Sequence, residues 1–224
     1  AVGVLLLGLE PLGRRRWPGT IGSWGRWLGG SVSDALVARD VLIAIVVGIV
    51  LALLDLYPNL VSLQIGAASH VSLSLDAWLG IRQMIAAGFL SSVNQAIGIS
   101  LFLFFLIFLL RVLTRRQGLT TVLVALIFTA SSVLGQTDPL ITAPFSILFH
   151  GLTVIVFLRF GLLTMATAIF VHVFLQSVPV TTDLSAWYSG YMIAVLVAVL
   201  APAGWAFYTS LGGQKLFAGG LLDE

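Results

Sequence analysis

Long blocks of apolar residues, separated by short polar stretches, dominate the pattern along this 224-residue chain. A helix crosses the hydrocarbon core of a bilayer with about 20 apolar residues. The pattern predicts seven membrane segments, the first cut short, at 1–12, 41–57, 89–110, 119–135, 140–158, 161–178 and 187–208. Helices suit such segments because open strands would leave backbone groups unpaired in lipid. We therefore expect an all-α, polytopic helical membrane protein.

The polar stretches predict how these helices connect. Four turns are short enough to make neighbouring helices antiparallel, at 114–118, 135–139, 159–161 and 178–184. The longer stretch 13–40 is expected to be an interfacial connection on the cytoplasmic side. Residues 58–88 are expected to form an outer loop that ends in a short interfacial helix at 76–88. With no internal repeat, residues 1–224 are expected to form a single integral-membrane domain, a fragment or a C-terminal module.

Charged residues are scarce and unevenly placed. They make up 9% of the chain, hydrophobic residues make up 59%, and soluble domains have about 25% charged residues. Threading the chain back and forth leaves Arg82 alone on one side. The other ten basic residues share the opposite side: Arg14, Arg15, Arg16, Arg26, Arg39, Arg111, Arg115, Arg116, Arg159 and Lys215. The positive-inside rule assigns that side to the cytoplasm, which predicts a multi-pass membrane protein with a cytoplasmic C-terminus.

Arginines beside apolar segments are the expected topology anchors. They comprise a triplet with a neighbouring tryptophan and a pair in a later turn: Arg14, Arg15, Arg16, Trp17, Arg115 and Arg116. Tryptophan and arginine both favour the headgroup level. The whole chain has 11 basic and 9 acidic residues, too few cations for a surface that follows a phosphate backbone. The lipid bilayer is therefore the expected partner, and nucleic acid is not.

Two histidines lie inside apolar segments, where polar groups are costly and are functional candidates. His150 precedes the turn at 159–161 by about nine residues, and His172 follows it by about eleven. At 1.5 Å per residue the two imidazoles share a depth in the membrane. Packing histidines with hydrogen bonds are the main interpretation, and no cofactor is predicted. Ligation of haem or another pigment by His150 and His172 stays open as an alternative.

Other polar residues support binding or association rather than catalysis. Asn94, Gln95 and Gln176 offer material for a polar path through the membrane. Asp183, Trp187 and Tyr188 form a candidate association surface on the outer side, and Asp183 or Ser185 is expected to cap the last helix. We find no paired catalytic aspartates, no GxSxG or HExxH motif and no cysteine, so the chain is not expected to be an enzyme.

Several short strings together resemble a known group of proteins. They are "LEPLGRRRWP" (9–18), "SDALVARD" (33–40), "LRFGLL" (158–163), "TTDLSAWYSG" (181–190) and "FYTSLGGQKLF" (207–217). In combination they resemble the C-terminal integral-membrane region of bacterial membrane-anchored serine/threonine protein kinases of the acidobacterial type. The resemblance implies a multi-span module of the bacterial inner membrane that follows a cytoplasmic kinase domain. This chain has no Gly-rich loop, HRD or DFG motif of its own.

These features are compatible with three functions. The first is a non-catalytic membrane module for anchoring, sensing or association, linked by the resemblance to kinase signalling, with a protein partner or a second copy of itself. The second is an accessory subunit of a larger membrane complex, with haem or pigment held by His150 and His172. The third is a small-solute transporter or channel.

Overall fold

Six α-helices account for nearly all of the described chain. The computed structural model describes residues 25–27, 29–30, 33–66, 81–134, 136, 138–177, 183–186 and 189–211. Their helices are α1 (Ala35–Gln64), α2 (Ile81–Thr114), α3 (Gln117–Val133), α4 (Pro139–Phe160), α5 (Leu162–Gln176) and α6 (Ser189–Ser210). The described ranges contain no strand.

Four of these helices are long and apolar enough to cross a membrane. They are α1, the Ile85–Thr114 part of α2, α4 and α6. The other two are shorter apolar helices, of 17 residues in α3 and 15 in α5. The predicted fold class, a helical membrane protein, is thereby confirmed. The predicted first segment, 1–12, lies outside the described residues.

The shortest helix, α5, lies at the centre of the bundle. It packs against α1, α2, α4 and α6, and eight of its 15 residues are buried. One apolar cluster joins α5 to α2 and α4 through Phe104, Phe157 and Met165. A second joins it to α1 and α6 through Phe174 and Tyr191. Helix α5 therefore contacts four other helices, and a change at its surface alters how they pack.

Small residues on α2 let the backbone approach its neighbours, as their four-residue spacing predicts. Ser92, Ala96 and Ser100 are all buried. The same spacing in α6 has a different result, because Ala198 and Pro202 are exposed. Ala198 and Pro202 therefore make no close helix contact within the described bundle and face outward, where lipid is the expected neighbour.

The structure differs from the predicted helix boundaries on both sides of the outer connection. Helix α1 continues beyond the predicted bound at 57 and through Pro58 to Gln64, although proline removes one helix hydrogen bond. Residues 81–88, expected to be a separate interfacial helix, form the first two turns of α2. Residues 76–80 of that predicted helix lie outside the described residues.

Turns and charges distinguish the two ends of the bundle. One end, here termed the basic end, holds the start of α1, the α2–α3 turn and the α4–α5 turn. Every described arginine except Arg82 lies at this end, as predicted: Arg26, Arg39, Arg111, Arg115, Arg116 and Arg159. Arg82 lies at the opposite end, at the start of α2.

Two ion pairs at the basic end fix the start of α1. Asp34 accepts hydrogen bonds from the Leu36 backbone N–H and from Arg26, and its pKa lies below the ordinary value of 3.8 because of these two bonds. Asp40 is 2% exposed and accepts from the Arg39 guanidinium at 2.9 Å. The buried carboxylate of Asp40 is paired with the Arg39 guanidinium, and such pairing offsets the cost of burying a charge.

Helices α4 and α5 are joined by a single residue, Gly161. Its φ of 90° lies in the region that glycine adopts without steric cost. Its N–H donates to the Phe157 carbonyl and its carbonyl accepts from the Met165 N–H. One glycine therefore ends α4 and begins α5 at the same time.

Candidate functional site

A cavity of about 270 Å³ lies between α2, α3, α4 and α5. Its walls are mainly apolar, with a few polar groups. The residues that line it include Gln95, Phe128, Phe149, His150, Thr153 and His172. The volume exceeds that of an engineered apolar cavity of about 150 Å³ that binds benzene. It is close to the lower limit of about 300 Å³ for small-molecule pockets, so the cavity suits a small ligand.

Both histidines singled out in the sequence line this one cavity. His150 precedes Gly161 by eleven residues and His172 follows it by eleven. Each imidazole therefore stands about 17 Å from the turn at a helical rise of 1.5 Å per residue. The structure confirms that the two residues share a depth. Phe149 lies between them, with its ring centroid 5.1 Å from each imidazole.

His150 is held by its own helix and by an aromatic ring. Its Nδ1 is 2.9 Å from the Ser146 carbonyl oxygen. A carbonyl can only accept, so Nδ1 carries the proton and Nε2 of the neutral ring is an acceptor. The imidazole stacks on Phe128 of α3 with an interplanar angle of 15°. The orientation of this ring is therefore fixed from two sides.

His172 faces a carboxylate on α1. Its Nε2 is 3.8 Å from Asp55 Oδ2, and its side chain is only 12% exposed. The negative charge favours the tautomer with the proton on Nε2, which leaves Nδ1 as an acceptor. Nδ1 is buried and has no hydrogen-bond partner among the described residues. An unpaired buried polar atom costs free energy, so a hydrogen bond to His172 Nδ1 would be stabilising.

Asp55 is the functional candidate that sequence reasoning missed. Its carboxylate accepts a hydrogen bond of 2.9 Å from Gln176 Nε2 of α5, and the same amide lies 3.4 Å from the Ala52 carbonyl. The signal was present, because Asp55 is an acid inside the predicted segment 41–57 and acids are rare in such segments.

Only part of the predicted polar path lies at the cavity. Gln95 lines the cavity and Asn94 does not, while Gln176 lies beside the cavity on Asp55. No group of three or more His, Cys, Asp or Glu is placed to hold a metal ion among the described residues. Ligation of haem or pigment by His150 and His172, and transport, stay predictions.

The remaining predicted residues lie apart from the cavity. Arg115 and Arg116 form the exposed α2–α3 turn. Asp183 accepts from the backbone N–H and the hydroxyl of Ser185, and these bonds hold its pKa below the ordinary value. The expected helix cap is wrong, because α6 begins only at Ser189 and Asp183 instead orders a turn.

The other predicted anchors and contacts lie outside the described residues: Arg14, Arg15, Arg16, Trp17, Trp187 and Tyr188. Comparison with known proteins gave no match, whether to a family model, a curated protein or a solved structure. Fold and cavity together define a polytopic helical membrane protein with a small, mainly apolar chamber inside its bundle.

Proposed function

We propose that this chain is a non-catalytic membrane module that anchors a signalling protein and senses a small molecule dissolved in the bilayer. The observation that carries the proposal is the 270 Å³ cavity with its two histidines. The resemblance to the membrane region of bacterial serine/threonine kinases supplies the signalling link.

The position of the cavity supports a role in sensing. His172 lines it from α5, the central helix, which also packs against α1 and α6. A ligand shifts a conformational equilibrium only when it contacts the two states differently. A molecule that separates His172 from His150 acts directly on the packing of α5, and through α5 on both clusters of the core.

The charge distribution supports an orientation. The basic end, with six described arginines, faces the cytoplasm of a bacterial inner membrane under the positive-inside rule. In this orientation α6 runs towards the cytoplasm and the C-terminus is cytoplasmic. The start of α1 then lies on the same side as a kinase domain that precedes the chain, or as another protein partner.

A cavity-filling substitution tests the proposal. A reporter serine/threonine kinase domain is fused ahead of Ala1, and its autophosphorylation is measured in bacterial membranes. Thr153→Leu adds apolar volume inside the cavity and is expected to change the rate about fivefold or more, the usual scale of coupling between sites. Thr121→Leu makes the same chemical change on α3, at a residue that does not line the cavity, and is expected to leave the rate unaltered.

Anchoring and sensing are separated by the same measurement. Equal autophosphorylation in the unaltered fusion and both variants, all present in the membrane fraction, would reject sensing and leave a plain anchor. A changed rate in Thr121→Leu as large as that in Thr153→Leu would show that the effect comes from helix stability rather than from the cavity.

A further inference from the structure

We propose that the cavity binds a neutral aromatic ring that carries a hydroxyl group, the chemistry of a phenol or a hydroquinone. The inference rests on the proposed sensing function and names the ligand class. The ligand class follows from the hydrogen-bonding groups on the cavity wall. Some of them are used in bonds within the protein, and others have no partner within the described part of the chain.

The Thr153 hydroxyl, the His150 Nδ1–H and one of the two N–H groups of the Gln95 amide are used in hydrogen bonds within the protein. Thr153 Oγ1 donates to the Phe149 carbonyl at 2.8 Å, and His150 Nδ1 donates to the Ser146 carbonyl. Gln95 Nε2 donates to Ser91 Oγ at 3.1 Å. In each case the bond is made to a residue four positions earlier on the same helix, so it does not depend on what fills the cavity.

What these bonds leave over is a set of acceptors. Thr153 Oγ1, Gln95 Oε1 and the Nε2 of His150 keep lone pairs, and buried His172 Nδ1 has no partner among the described residues. Each of these acceptors is satisfied only by a ligand group that donates. A hydroxyl does so, whereas a ketone or an ether presents further acceptors and leaves the wall unpaired.

The shape of the wall favours a flat, apolar ring. Phe128 and Phe149 both line the cavity, and Phe128 already lies parallel to the His150 imidazole. Aromatic rings stack offset or edge-to-face with such neighbours at centroid distances of about 4.5–7 Å. One or two fused six-membered rings suit a volume of 270 Å³, which is small for a porphyrin.

Charge on the cavity wall favours a neutral ligand. No lysine, arginine, aspartate or glutamate is among the described residues that line it. An anion therefore meets no cation, and the Asp55 carboxylate behind His172 repels it. Phenolates and carboxylates are thus disfavoured, while a neutral phenol brings its proton with it.

The ligand reaches the cavity from the hydrocarbon. Ile99, another lining residue, is 37% exposed, and Gln95 is exposed on the same face of α2 one helical turn away. Both lie on a helix long and apolar enough to span the membrane. A lipid-soluble ring enters through that face without passing through water.

A matched pair of ligands tests the donor requirement. Binding of 2-naphthol and 2-methoxynaphthalene to the purified chain in detergent is measured by calorimetry. The two share a ring system, but the methyl ether cannot donate. We expect 2-naphthol to bind about tenfold more tightly, the effect of one satisfied buried hydrogen bond.

Variants locate the acceptors. His150→Phe keeps a ring but removes Nε2, and Thr153→Val keeps the branched shape but removes Oγ1. Each is expected to weaken 2-naphthol binding about fivefold to tenfold and to leave the methyl ether unaffected. Thr121→Val removes a comparable hydroxyl, bonded to the Gln117 carbonyl away from the cavity, and is expected to change neither affinity.

A second pair of ligands distinguishes the source of the ring. Displacement of 2-naphthol by a decyl-substituted benzohydroquinone, but not by its quinone, supports a membrane hydroquinone. Displacement by neither supports a small free phenol. Equal binding of 2-naphthol and its methyl ether, equal displacement by hydroquinone and quinone, or no binding by any ligand overturns the inference. Because binding is measured on the isolated chain, these outcomes are independent of kinase output, on which the sensing proposal is judged.

Discussion

Gly48 of α1 shows how closely two helices of this bundle approach each other. A Cβ at this position would lie 2.7 Å from the Ala168 carbonyl oxygen and 2.7 Å from Val171 Cβ, both on α5. One of these atoms belongs to the backbone, which cannot move aside as a flexible side chain does. In lipid, helices associate through such close packing rather than through the exclusion of water.

Gly48→Ala is therefore expected to destabilise the protein by about 2 kcal/mol, the middle of the range for overpacked cores. The measurement is unfolding in mixed micelles of increasing SDS content. Gly98→Ala on α2 is the control, because a Cβ there meets nothing within 4 Å and alanine favours the helix by about 0.5–1 kcal/mol. Equal stability of the two variants would contradict the close contact.

The sequence predicted the depth shared by His150 and His172 but not their environment. Depth follows from counting residues along two helices joined by a short turn, and this information is local. Which way each ring faces depends on the rotation of each helix about its axis, which α1 and α3 decide through Asp55 and Phe128. No single-segment pattern contains those contacts.

At the scale of helices, α1 and α5 are joined near the end opposite the basic end by one polar contact. Asp55 accepts from Gln176 at 2.9 Å, three to four residues beyond the depth of the cavity. Polar contacts between membrane helices are individually modest, because the separated helices find other partners. The contact nonetheless fixes the register of the two helices next to His172.

A double-mutant cycle of Asp55→Ala and Gln176→Ala is expected to give a coupling energy of about 0.6 kcal/mol, the average for such contacts in membrane proteins. The free energy of unfolding in SDS is measured for both single variants and the double variant. The cycle of Asp55→Ala with Thr121→Ala, two residues that are not in contact, is expected to be additive. Additivity in the first cycle would show that the hydrogen bond does not stabilise the bundle.

The boundaries of α1 and α2 show where pattern reasoning ends. The predicted interfacial helix ended at residue 88, and the predicted membrane segment began at residue 89. In the structure a Cβ at Gly88 would lie 2.8 Å from Tyr191 Oη of α6. Helix α2 continues through Gly88, where α6 lies close to it. The sequence does not display this tertiary contact.

At the scale of the molecule, the sorting of arginines to one end predicts a labelling pattern. The chain has no cysteine, so single cysteines report cleanly. Gln117→Cys lies at the basic end and Gln136→Cys at the other, and both positions are exposed. A membrane-impermeant maleimide is expected to label Gln136→Cys in intact cells and Gln117→Cys only in inverted vesicles.

Ile155→Cys provides the control for this experiment. Ile155 is 55% exposed but lies on α4, which is long enough to span a membrane, and it is expected to stay unlabelled in both preparations. Labelling of Gln117→Cys and Gln136→Cys from the same side would overturn the back-and-forth path of the chain. The fold class itself came from composition and block length alone, because lipid constrains a backbone more strictly than water does.

The single-residue link at Gly161 has a mechanical consequence for the bundle. A connection of one residue cannot lengthen, so α4 and α5 cannot slide past each other like pistons. They can only open and close about that point, as two arms do about a pivot. A molecule wedged between His150 and His172, some eleven residues along each arm, acts with leverage. The ends of α4 and α5 farthest from Gly161 move apart most. At the basic end, next to Gly161, the two helices change their tilt.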